Sequence, residues 1–392
     1  MASSSSKLLL KHTLLHILLI ILTILTPYAS GCYSAIFSFG DSITDTGNSV
    51  HRSKSSEPLH FALPPYGETY FNYPTGRCCD GRLILDFIAQ NLGLPFVPPY
   101  FGGRNASGAY NFEKGVNFAL VGANTLDDSF FEERGISNSY TNSSMRCQLS
   151  WFKDLLPSLC LSSSDCNKLL QRSLFILGEF GGNDYNRALL AGRSAEEIHS
   201  YVPIIVDAIA SATSELIELG AMTVMVPGNL PFGCAAAYLT YFESSDKEEY
   251  DPIGCLIWLN NIAKHHNALL QKKLSQIRER HPHAAIIYAD IFNAAMPYYL
   301  SPWKFGFTKG AITACCGAGA PPYHFNTSVA CGYFPSFAFD HPFKYVNWDG
   351  WHLTEAAYRL ITKGLLEGPY TIPHINTSCV STIASAEYSN FE

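Results

Sequence analysis

Four short apolar runs punctuate the chain, at residues 35–39, 173–177, 222–226 and 285–289, each bounded by polar or turn-forming positions. Runs of this length that stay apolar at successive positions suit strands covered on both faces. Between them the apolar spacing changes to three and four. In GRLILDFIAQNLG it places Leu83, Phe87, Ile88 and Leu92 on one helical face. SYVPIIVDAIASATSELIELG repeats the pattern and stops at Gly220. CLIWLNNIAKHHNALLQKKLSQIRERHP carries it to His281 and Pro282, and TEAAYRLITKGLLEG opens on Thr and closes on Gly. Strands alternating with helices predict an α/β fold with a mainly parallel sheet and helices on both faces. No internal repeat or Pro/Gly/Ser linker divides the chain, so a single domain over residues 32–370 with a tail at 371–392 is expected. Loops at 64–74, 95–108 and 302–342 are rich in aromatics, prolines and glycines. In such a fold they can reach the carboxyl ends of the strands, where ligands bind.

The first thirty residues follow another pattern. Lys7 and Lys11 precede an apolar stretch from Leu14 to Leu25, and small residues follow near Ala29 and Gly31. This is the order of a secretory signal peptide, with cleavage expected after residue 31. The apolar core is shorter than the roughly 20 residues of a spanning helix, and no later stretch is expected to span, so no stable membrane anchor is expected. All twelve cysteines, from Cys32 to Cys379, lie beyond the cut, and their even number suits disulfides in an oxidising compartment. Their spacing fits a metal site poorly. Sequons at Asn105, Asn142, Asn326 and Asn376 would then be surface glycosylation sites. A secreted or vacuolar destination follows. A net charge of −7 with no basic stripe argues against a nucleic-acid partner.

Candidate chemistry begins directly after the first apolar run, where Ser42 opens a bend crowded with Thr44, Asp45, Thr46, Gly47 and Asn48. A serine hydroxyl becomes a useful nucleophile only when a base takes its proton. Among thirteen histidines, His265 and His266 lie in the long amphipathic helix and His281 and His283 flank its end, positions that suit solvated or capping residues. His352 differs, because Asp349 precedes it by three positions. On a tight bend groups so spaced can meet, and the carboxylate would fix the imidazole tautomer. The alternative is that Asp349 caps the following helix and His352 merely packs. A tetrahedral oxyanion also needs donors. Gly122 in GVNFALVGANT, Asn183 in GEFGGNDYN and the N–H of Ser42 itself are the candidates, although each glycine taken singly fits an ordinary turn.

The blocks FGDSITDTGN, GVNFALVGA, GGNDYN and DGWHLTEAAY, in this order, resemble the plant GDSL esterase/lipase family of the SGNH hydrolase superfamily. PPYGETYF, PTGRCCDGR, VPPYFGG and ACCG extend the resemblance over nearly all of the mature chain. It looks most like the branch that includes sinapine esterase and acetylajmalan esterase. The resemblance implies a flavodoxin-like three-layer α/β/α fold. It implies Ser42 as nucleophile, His352 as base and Asp349 as its orienting acid, with Ser42, Gly122 and Asn183 as oxyanion donors. Ile43 stands where the family name has leucine, and Trp351 where a small aliphatic is common, so Trp351 could narrow the acyl pocket. No G-x-S-x-G occurs, which separates the chain from the α/β-hydrolase elbow. The expected activity is hydrolysis of small acetyl or hydroxycinnamoyl esters through an acyl-enzyme, without metal or organic cofactor. An acyltransferase on the same site and a non-catalytic glycosylated binding protein are the alternatives.

Overall fold

The computed structural model describes residues 33–102, 112–137 and 141–375. The leader, Asn105, Asn376, Cys32 and Cys379 lie outside the described residues. The strands are β1 Ala35–Phe39, β2 Gly115–Asn117, β3 Ser173–Leu177, β4 Thr223–Pro227, β5 Ala285–Ala289, β6 Gly310–Ala314, β7 Cys316–Gly317, β8 Phe337–Ala338, β9 Tyr345–Asn347 and β10 Thr371–Ile372. Six of them form one sheet in the order β10-β5-β4-β3-β1-β2. β1 to β5 run parallel and β10 pairs antiparallel to β5. The order 2-1-3-4-5 is that of the flavodoxin-like α/β fold, whose ligand crevice opens beyond the strand ends where the winding reverses, between β1 and β3.

Both faces of the sheet are covered, which explains why its strands are apolar at successive positions. Phe37, Phe39, Phe175, Leu177, Val224 and Ile286 join one core with the helices Met145–Leu155, Ala195–Glu218 and Ile257–Arg280. Ile36, Leu174, Ile176, Met225 and Ile287 join the other, with Ile84–Asn91, Ile291–Leu300 and Glu355–Glu367. Each buried side chain of this size contributes on the order of 1.5–3 kcal/mol. The helix Ala195–Glu218 starts earlier than its periodicity suggested, because the Ser194 hydroxyl accepts from Glu197 N at 3.2 Å. Contrary to expectation, it is long and apolar enough to cross a membrane by length and composition. Its Ile198, Val202, Ile205, Val206 and Ile209 are buried in the first core.

Cysteine pairing is incomplete among the described residues. Disulfides join Cys160 to Cys166, Cys234 to Cys255 and Cys316 to Cys331, while Cys78, Cys79, Cys147 and Cys315 carry thiols.

The carboxyl end of β1 is held from an unexpected quarter. The buried Gln148 amide accepts from Gly40 N at 2.9 Å and donates to Gly40 O at 2.8 Å, matching the backbone of the residue that leaves the strand. Gln148→Met keeps the length and removes both partners. Gly40 O keeps its second donor, Leu120 N at 3.2 Å, so the variant leaves Gly40 N unpaired and is expected to cost on the order of 1–3 kcal/mol in chemical denaturation. A variant as stable as the parent would show that this clamp contributes nothing.

Candidate active site

β1 ends at Phe39, and the next residues fold into a compact turn. Thr44 N and Asp45 N both donate to Asp41 O, at 3.1 and 2.8 Å, while Ile43 N donates to Asp41 Oδ1 at 2.9 Å. Ser42 is thereby placed at the crest of the turn, beyond the sheet edge. Gly178, after β3, crosses so close to Phe39 O that a Cβ there would collide with it. The crowd of polar residues behind Ser42 fastens this loop to the one after β2. Asp45 accepts from the N–H groups of Gly47 at 2.8 Å, Asn48 at 2.6 Å and Val121 at 3.2 Å. Asn117 Nδ2 donates to Thr44 O at 2.6 Å, and Asn48 Nδ2 to Ala119 O at 2.9 Å.

The second half of the site is the loop between β9 and the helix Glu355–Glu367. Thr354, not Asp349, caps that helix, accepting from Ala357 N at 3.3 Å. Asp349 is free to fold the loop around itself. Its Oδ1 accepts from the N–H groups of Trp351 at 3.0 Å and His352 at 2.9 Å. Its Oδ2 accepts from His352 Nδ1 at 2.7 Å and from the Tyr66 hydroxyl at 2.8 Å. His352 Nε2 then lies 2.8 Å from Ser42 Oγ. Two segments far apart in sequence thus form one hydrogen-bonded line from hydroxyl to imidazole to carboxylate. An imidazole so placed can remove the hydroxyl proton, and the carboxylate can stabilise the resulting imidazolium.

Electrostatics support that direction of transfer. Burial pushes Asp349 upward, but the His352 charge, the His352 ring and backbone N–H groups and the Tyr66 hydroxyl outweigh it and hold Asp349 at about 2. Burial alone would lower His352; the charge and hydrogen bond of Asp349, with the charge of Asp41 added, leave it above its ordinary value. Asp41 behaves oppositely. Burial, reinforced by the charge of Asp184, pushes it up to about 7 against the pull of Ile43 N–H and His352. Glu179 beside it, also buried, is raised well above the usual carboxylate range.

Gly122 and Asn183 reach the same place. Gly122 has a φ of 75°, in the left-handed region that favours glycine. Neither its N–H nor that of Ser42 donates to an acceptor among the described residues. Asn183 occupies the first turn of the helix Gly182–Leu190, and its Nδ2 donates to Asp41 Oδ2 at 2.8 Å and to Ala123 O at 3.2 Å. The next residue, Asp184, accepts from Thr125 N at 2.7 Å and Leu126 N at 2.9 Å, which draws the Gly122 loop toward Asn183. Ser42, Gly122, Asn183 and His352 all line a cavity of about 440 Å³. Aromatic walls complete it: Trp351 packs against Tyr238, Tyr241 and Phe325 with ring centroids 5.2, 6.0 and 5.7 Å away.

One assignment changes. His266 is neither solvated nor capping: it is fully buried, 2.8 Å from the Tyr185 hydroxyl, and burial lowers it to about 3. Asn326 is half-buried on the wall of the cavity, its Oδ1 accepting from Ser328 N and Val329 N, whereas Asn142 is exposed. Tyr66, Gln148, Asp184 and Glu179 escaped the sequence reading. The adjacency of Asp184 to Asn183 and of Tyr66 to the Pro64–Pro65 turn were the available signals.

The model of the GDSL-like lipase/acylhydrolase family matches residues 36–365. Sinapine esterase from Brassica napus is 47% identical over 393 residues, covering 100% of both chains. A GDSL esterase/lipase from Arabidopsis thaliana is 50% identical over 351 residues, covering 89% of this chain and 86% of that protein. Among solved structures, phospholipase A1 from Streptomyces albidoflavus NA297 matches at 13% identity with a TM-score of 0.30, over 68% of this chain and 83% of that one.

A base must be neutral to accept a proton, and His352 is held above its ordinary value. The kcat/KM profile for ester hydrolysis is therefore expected to rise with pH through a limb centred above about 6.5. A limb centred well into the acidic range, or no limb at all, would contradict this.

Proposed function

Because the chain belongs to the GDSL-like lipase/acylhydrolase family and is a carboxylic-ester hydrolase, we propose that it works through an acyl-enzyme on Ser42. The carrying observation is the continuous line Ser42 Oγ, His352 Nε2, His352 Nδ1, Asp349 Oδ2, with separations of 2.8 and 2.7 Å. Ser42 Oγ attacks the ester carbonyl while its proton passes to His352 Nε2. The carbonyl oxygen becomes an anion, met by the N–H groups of Ser42 and Gly122 and by Asn183 Nδ2, which exchanges its longer bond to Ala123 O for the new acceptor. Collapse breaks the carbon–oxygen bond, and His352 returns the proton to the departing alcohol. Water, deprotonated by the same imidazole, releases the acid and restores Ser42. No step calls for a metal or an organic cofactor.

The substrates are small esters, of the acetyl or hydroxycinnamoyl type found among plant specialised metabolites. The aromatic wall around Trp351 supports this, since planar acyl groups stack on such surfaces, as does the likeness to sinapine esterase. The leader pattern, the disulfides and the exposed Asn142 support a secreted or vacuolar glycoprotein.

Ser42→Ala is expected to abolish hydrolysis of p-nitrophenyl acetate and labelling by a fluorophosphonate while near-UV circular dichroism stays unchanged; turnover like the parent would reject the assignment. Asn183→Ala is expected to lower kcat by about 10²–10³ with a smaller change in KM. An unchanged kcat would remove Asn183 from the anion site. Product analysis with an acceptor alcohol present separates hydrolysis from acyl transfer: the free acid alone supports the hydrolase, and a new ester supports the transferase.

A further inference from the structure

We propose that Tyr66 is a positioning residue of this site: its hydroxyl, by donating to Asp349 Oδ2, sets the pH at which His352 becomes a base. This rests on the proposed roles of Ser42, His352 and Asp349. Asp349 Oδ2 is shared by two donors, His352 Nδ1 at 2.7 Å and Tyr66 Oη at 2.8 Å, 283 positions away in sequence. Electron density drawn toward the phenol makes that oxygen less basic toward the imidazolium. Oδ1, which accepts from Trp351 N and His352 N, cannot compensate by rotation without losing both.

The ring of Tyr66 has a separate task. It is 1% exposed and packs edge-on against Trp348, with centroids 5.7 Å apart, and near His60 at 5.9 Å. Phenylalanine would meet that packing equally well, so the hydroxyl is the part that serves Asp349. Other titratable groups also act on this pair. His60, which burial lowers, feels both Asp349 and His352; Asp41 attracts the imidazolium; Cys78 and Tyr358, both raised by burial, face the Asp349 charge. All of these side chains are retained when only the Tyr66 oxygen is removed.

Tyr66→Phe leaves Asp349 more basic and His352 protonated to higher pH. Its acidic limb in kcat/KM is expected to move upward by about 0.5–1 pH unit, and its kcat on the plateau to fall by up to about tenfold. The His352 Nδ1 proton resonance is expected to move in the same variant. In an Asp349→Ala background, Tyr66→Phe is expected to change nothing further, because it acts through the carboxylate. A limb that stays in place in Tyr66→Phe, or an undiminished effect in the Asp349→Ala background, overturns the proposal. With Ser42→Ala inactive, such a result overturns this inference alone. An active Ser42→Ala overturns the reading on which it rests.

Discussion

Everything at this site follows from keeping one carboxylate ionised out of reach of water. Asp349 is 5% exposed, and an unpaired charge there would cost several kcal/mol. Its two oxygens meet four donors, two backbone N–H groups on one and an imidazole and a phenol on the other. Satisfying Oδ1 curls residues 349–352 into a single tight turn. Once that turn is made, His352 has little freedom: its N–H and ring both point at the same carboxyl, and its carbonyl accepts from Trp348 N at 2.7 Å. The far ring nitrogen is then directed at whatever stands opposite.

What stands opposite is set by the sheet. The winding reverses between β1 and β3, so the loops after these two strands diverge and leave a crevice at their carboxyl ends. Ser42 leaves β1 and Asn183 follows β3, while Gly122 comes from the loop after β2. Three acidic or amide side chains, Asp45, Asn117 and Asp184, spend their hydrogen bonds on the backbone of neighbouring loops. They stand in for a ladder that the loops, having left the sheet, no longer have.

The sequence made the middle of the sheet legible and left its edges obscure, for a physical reason. β1, β3, β4 and β5 are five residues each and buried on both faces, so they appear as continuous apolar runs. β2 and β10 span three and two residues, too short to show any period, and β10 runs against its neighbour. Ser42, Asp349, His352, Gly122 and Asn183 were legible because they sit in compact local blocks. Tyr66 and Gln148 were not, since each acts on a residue more than a hundred positions away, and nothing in the local pattern of either announces its partner. His266 was misjudged for the related reason that a long amphipathic helix can turn one polar side chain into the core when a hydroxyl such as that of Tyr185 awaits it.

The acids around the cavity are divided by their surroundings. Asp349 has four donors and a cationic partner and is held at about 2, whereas Asp41, with two donors and another acid behind it, is pushed up to about 7, and burial raises Glu179 well above the usual carboxylate range. The division has a chemical sense. Negative charge behind the imidazole helps it hold a proton, so Asp349 must be ionised. On the proposed mechanism, negative charge beside Asn183 would repel an oxygen that is becoming an anion, and the raised Asp41 and Glu179 would lessen that repulsion. Burial achieves this on one flank while hydrogen bonding achieves the reverse on the other, within a single crevice.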